Sequence, residues 1–180
     1  MKQHVIAIGL FGLLVFGAAA QHPSSTNQAN RTISTSDNSF ITKAAQGGMA
    51  EVELGRLAVE RAESPQVKSF GQRMVTDHTK VNDELKALCT SKGITLPNTL
   101  DSKDEATKNR LSKLNGAAFD KAYMEDMVSD HKKDVSEFQH EADHGTDPDV
   151  KSFAGKTLPV LQQHLQLAEQ TLPEAKKESK

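Results

Sequence analysis

Residues 64–70 read SPQVKSF and residues 147–153 read DPDVKSF, an offset of 83 that keeps Pro, Val, Lys, Ser and Phe in register behind a Ser or an Asp. Ser and Asp are helix-capping residues, and proline is tolerated at the first helical position because its missing N–H would have no partner there anyway. Each copy therefore marks a corner where one helix stops and the next starts. Around both corners apolar residues recur at spacings of three and four, the period of a helix with one buried face.

Before the first corner the stripe runs through Phe40, Ala44, Gly47, Glu51, Gly55 or Leu54, Ala58 and Ala62, with Asp37 as the expected cap. After it come Val67, Phe70, Met74, His78, Val81, Leu85 and Leu88, closed by Gly93. The second corner repeats the arrangement, with Phe119, Tyr123, Met127, His131, Val135, Phe138 and Ala142 before it and Val150, Phe153, Thr157, Leu161, His164, Ala168 and Leu172 after it. These patterns predict helices over 38–63, 65–92, 116–145 and 148–171, that is, two helical hairpins from a duplicated unit. Residues 101–114 read as a short polar helix closing over one end, and Pro159 predicts a kink just before His164. The fold class is all-α, a four-helix bundle built from two hairpins joined by a longer connection.

The ends are of a different kind. Residues 1–20 carry one Lys, an unbroken apolar run and Ala18-Ala19-Ala20, the pattern of a secretory signal cleaved before Gln21. The run is shorter than the roughly 20 residues that cross a bilayer as a helix, so the expectation is an exported protein, periplasmic or secreted, with no transmembrane segment after cleavage. Residues 21–36 read as a flexible polar tether, 37–172 as the bundle domain and 173–180 as a disordered tail. The formal charge of −2 shows no basic excess, which argues against a nucleic-acid partner. Cys89 is the single cysteine, so no internal disulfide forms, and its apolar surroundings suit a small core residue.

Each of the four stripes contains one polar residue: Glu51, His78, His131 and His164. Glu51 and His78 are equidistant from the Ser64-Pro65 corner, and His131 and His164 from the Asp147-Pro148 corner, so each pair faces across its hairpin. A buried carboxylate or imidazole without a partner costs several kcal/mol, so such a layer must satisfy itself or hold an ion. One carboxylate with neutral imidazoles is a transition-metal donor set. Asp77 and Asp130 each precede a histidine and point about 100 degrees away, where they suit hydrogen-bond acceptors behind the ligand rings or surface charges. The alternative is a buried polar layer that fixes helix register. His140 and His144, beside several acids, read as a solvated corner, and the methionines at helical spacing read as core filling.

The stretches GGMAEVELG (47–55), VKSFGQRMVTDH (67–78), FDKAYM (119–124), Asp130-His131 and LPVLQQHL (158–165) resemble the bacterial exported proteins grouped as domain of unknown function 4142, placed among ferritin-like bundles. Ferritin-like membership implies a di-iron centre with Glu-x-x-His motifs. Here the residues three before His78, His131 and His164 are Val75, Val128 and Leu161. One divalent transition-metal ion therefore fits better than a di-iron pair. The expected function is a non-enzymatic exported bundle that binds a metal ion or senses envelope stress through it. The other reading is a structural or partner-binding module. No nucleophile with a base, and no open metal motif, points to an enzyme.

Overall fold

The computed structural model describes residues 33–178, so the signal segment at 1–20 and most of the tether lie outside the described residues. Five helices follow one another: α1 (Thr35–Arg61), α2 (Pro65–Lys92), α3 (Ser102–Leu111), α4 (Gly116–His144) and α5 (Pro148–Glu178). The four long ones are the two hairpins, packed α1 on α2 and α4 on α5, with α2 also against α5 and α1 against α4. The chain folds as a four-helix bundle of two hairpins, and no strand occurs among the described residues.

Two boundaries, at the start of α1 and the end of α5, differ from the sequence reading. Ser34, not Asp37, caps α1, its hydroxyl accepting from the Asp37 amide at 3.0 Å, so the helix takes in Thr35 and Ser36 of the expected tether. At the other end the tail expected from residue 173 is instead helical through Glu178. Pro159 and Pro173 both sit inside α5 on its exposed side. The carbonyls that lose a partner there belong to Gly155 and Glu169, also exposed and so open to solvent, and the helix continues. The buried Ala175 on that last stretch packs with the core.

Asp37 is free for another task. Completely buried, its carboxylate accepts from the Thr146 amide at 3.1 Å, the Thr146 hydroxyl at 2.6 Å and the Asp147 amide at 2.9 Å. Asp120, also fully buried, accepts from the amides of Glu63 at 3.1 Å and Ser64 at 2.8 Å. Both the acceptors and the corners are 83 residues apart, so the first helix of each hairpin holds the corner of the other in a two-fold exchange. The ring contacts follow the same symmetry, Phe40 meeting Phe153 at 6.5 Å and Tyr123 meeting Phe70 at 6.1 Å.

These clamps fix direction. α4 starts beside the corner at which α2 starts, so the two run parallel, and the chain leaving α2 must return along the bundle. Gly93, left-handed at φ 68°, ends α2, and the return path carries α3. The short helix does not close over an end as expected. It lies along the middle of α1 and α4, held by Lys108 to Glu53 at 2.7 Å, by Lys103 to Asp130 at 3.1 Å and by Arg110 to Asp126. With only Leu111 buried, α3 is positioned by ion pairs more than by apolar burial.

The core falls into two apolar clusters. One contains Leu54, Ala58, Phe70, Met74, Phe119, Tyr123, Met127 and Ala168. The other contains Phe40, Ile41, Leu85, Phe138, Phe153 and Leu161. On all four long helices the residue between them is the polar one: Glu51, His78, His131 and His164.

Candidate metal centre

His78 on α2, His131 on α4 and His164 on α5 meet in the gap between the two clusters. Their ring centroids are 5.2 to 5.8 Å apart, and one nitrogen from each ring lies within 4.8 Å of one from each of the others. His131 and His164 have no exposed surface, and His78 has 4 %. With α5 running to Glu178, His164 stands at that helix's midpoint, as His78 and His131 do on theirs.

The hydrogen bonds assign the protons. His131 Nδ1 lies 2.9 Å from the Met127 carbonyl, which can only accept, so Nδ1 carries hydrogen and Nε2 a lone pair. His164 Nε2 donates to Asp77 at 2.8 Å, leaving its Nδ1 with the lone pair. His131 Nε2, His164 Nδ1 and His78 Nε2 are all buried without a partner. Burial lowers all three basicities, His164 to about 4 despite Asp77 and His78 further through its two histidine neighbours, so the rings are neutral near pH 7. Three neutral imidazoles with unused nitrogens are in the protonation state that metal binding needs.

A tetrahedral ion with nitrogens at about 2.0–2.1 Å holds them roughly 3.3 Å from one another, so closure from 4.8 Å asks each nitrogen to move under about 1 Å. Asp77 supports the geometry from behind, since Arg73 Nε grips the same carboxylate oxygen at 3.2 Å while Arg73 Nη2 donates to Gln163 at 2.8 Å. A carboxylate that fixes the tautomer of a ligand ring is the usual support of such sites.

The structure brings together some of the expected residues and separates others. Glu51 is buried in the same layer but stands outside the three-nitrogen group. Its Oε1 lies 3.8 Å from His131 Nδ1, the protonated edge, while Oε2 has no partner. Glu51 stands beside His131 of the other hairpin, because α1 packs on α4 as well as on α2. Asp130 pairs with Lys103 at 3.1 Å, and its charge acts on His131 without a hydrogen bond to that ring. His140 and His144 sit on exposed turns of α4, their rings 4.9 Å apart and far from the layer in sequence.

Two residues escaped the sequence reading. Asp134, half-buried, interacts with both Glu51 and His131, and burial followed by the Glu51 charge pushes it up to about 7. It stands three residues after His131, one turn on along the same helix face, and 83 after Glu51, so counting forward or applying the repeat would have found it. Tyr123, the single tyrosine, is fully buried with an unpartnered hydroxyl held well above its ordinary basicity by burial and by Glu51. Glu51 itself is pushed up to about 8, by burial first and then by Asp130, Asp104 and Asp126.

A bundle of two duplicated hairpins with a histidine layer at mid-height defines the class of protein. The chain belongs to the family described as Domain of unknown function (DUF4142), which it matches over residues 22–171. No curated protein gives a match. Among solved structures, the fold is similar to the crystal structure of a DUF305 fragment from Deinococcus radiodurans, at 15% identity and a TM-score of 0.70, over 80% of this chain and 99% of that one. At that identity the likeness speaks for the fold alone. No described helix is long and apolar enough to cross a membrane.

Proposed function

We propose that the protein is an exported, non-catalytic bundle that binds one divalent transition-metal ion through His78, His131 and His164. The observation that carries this is the set of three buried nitrogens, one from each of three helices, that have no hydrogen-bond partner. A layer meant only to fix register would be expected to pair its polar atoms, because each one left alone costs on the order of 1–3 kcal/mol. Two such pairings exist, the Arg73–Asp77–His164 chain and His131 Nδ1 on the Met127 carbonyl, and each leaves the other nitrogen of its histidine unused. Export rests on the pattern of residues 1–20.

Metal analysis of untagged protein, followed by thermal melts with Zn(II), Co(II), Ni(II), Cu(II) and Mn(II), tests the reading. Ligand at a hundredfold excess over Kd adds about 2.7 kcal/mol of folding stability. The melting temperature should rise with a particular ion, His78→Ala and His131→Ala should abolish the rise, and His140→Ala should keep it. A wild-type melt indifferent to every ion, with core mutants that lose stability all the same, would leave the register role in its place.

A further inference from the structure

A buried histidine centre needs a path for its ion, and the bundle has an opening at the right height. Two adjoining clefts between α1 and α4 share Lys43, Gly47, Asp134 and Glu137 in their walls. One narrows to about 20 Å³ and reaches His78. The other, of about 60 Å³, contains Glu51 and is bordered by Asp101 and Asp104 at the start of α3 and by Asp130. That volume is several times the roughly 10–15 Å³ that a single water requires.

Carboxylates outnumber lysines in the wider cleft by six to three, and all three lysines are already paired. Lys43 and Lys133 hold Glu137 at 3.2 and 3.9 Å, and Lys103 holds Asp130 at 3.1 Å. Glu51, Asp104 and Asp134 make no ion pair with a lysine or arginine among the described residues. Glu51, only 3 % exposed, is among the residues lining the cleft, and its Oε2 is buried without a partner. Gly47 adds an independent observation. It lies inside α1, where alanine is favoured over glycine by roughly 0.5–1 kcal/mol, and a Cβ added there would meet nothing within 4 Å. Neither packing nor backbone conformation asks for glycine; what it provides is open space between the two clefts.

The geometry points to this cleft as the inlet through which a hydrated divalent cation reaches the histidine trio, with Glu51 and Asp134 receiving it from water and His78 the first imidazole on its path. The assignment rests on the metal-binding reading above. A cleft with an excess of one charge raises the capture rate of the opposite charge and loses that advantage in salt.

Stopped-flow uptake of Co(II), followed by the visible absorption that develops as imidazole replaces water, tests it on wild type, Gly47→Leu and Asp104→Asn. The leucine should slow uptake and release together by about tenfold or more, leaving Kd within about threefold. Wild-type uptake should slow as salt rises, and Asp104→Asn should weaken that salt dependence. Gly47→Leu loading at the wild-type rate while keeping wild-type helicity would overturn the inlet. Should that variant not fold, uptake that is independent of salt in the wild type and unaltered by Asp104→Asn would do the same. A wild type that takes up no Co(II) removes the metal reading and the inlet with it. Normal wild-type uptake with unchanged variants removes the inlet alone.

Discussion

Replacing Asp37 by alanine should be among the most damaging single changes away from the core. The carboxylate has no exposed surface and accepts three hydrogen bonds, two from backbone amides and one from a hydroxyl. The Thr146 hydroxyl can turn to another acceptor, whereas the amides of Thr146 and Asp147 cannot. A buried amide left unpaired costs about 1–3 kcal/mol, so the two together amount to roughly 4 kcal/mol. At roughly 2–4 °C per kcal/mol for a domain of this size, the melting temperature should fall by about 8–16 °C. Asp37→Asn keeps one acceptor and should cost less than half as much. Asp120→Ala, at the opposite end of the bundle, should behave alike, and the double mutant should be additive.

Acid should expose the same clamp. Burial alone would raise the Asp37 carboxyl, but the Thr146 hydroxyl and the amides of Thr146 and Asp147 outweigh it and hold the group below its ordinary value of 3.8. With the folded value below the unfolded one, the contribution is complete above 3.8 and is lost as pH falls through the folded value. Circular-dichroism melts of wild type and variants at several pH values measure both effects. A loss below about 0.5 kcal/mol for Asp37→Ala at pH 7, the size of an ordinary surface change, would refute the clamp.

Two further expectations use other residues. Gly47→Ala should stabilise the protein by roughly 0.5–1 kcal/mol in denaturant titration. Gly55→Ala should instead cost about 1–3 kcal/mol, since its Cβ would lie 2.7 Å from the Gly71 carbonyl where α1 crosses α2. Glu141 is 3 % exposed, and burial together with Asp37 pushes its carboxyl up to about 7 from 4.5. Its ionisation therefore costs nothing below pH 4.5, increasingly more between 4.5 and about 7, and a constant amount above, so Glu141→Gln should be neutral at pH 4 and stabilising by roughly 1–3 kcal/mol at pH 8. A stabilisation that is equal at both pH values would contradict that account.

The hairpins were legible because both their signals are local: a corner of cap and proline, repeated at an offset of 83, and stripes of helical period on either side. The histidine layer was legible for the same reason, since a polar residue interrupting an apolar stripe is visible on one helix at a time. What was hidden depends on neighbours distant in the chain. Asp37 has the sequence features of a cap, and nothing near it reveals that its donors lie 109 and 110 residues away. Counting from the corner relates Glu51 to His78 within one hairpin and says nothing of His131, which Glu51 meets because α1 also packs against α4. The last turns of α5 are polar and carry no apolar stripe that would reveal a helix, while Ala175 among them docks on the core.

The exchange of corner clamps bears on how the chain reaches its native state. The hydrogen bonds that finish each turn span 56 to 57 residues at one corner and 109 to 110 at the other, although the helices they join are neighbours in sequence. Helical hairpins ordinarily close from local contacts and fold fast. Here a lone hairpin is left with bare amides at its turn and a buried carboxylate lacking donors, so neither half is a complete folding unit. Docking of the halves and completion of the turns become one event, and the chain should unfold as a single cooperative block, without a half-folded stage in which one hairpin persists.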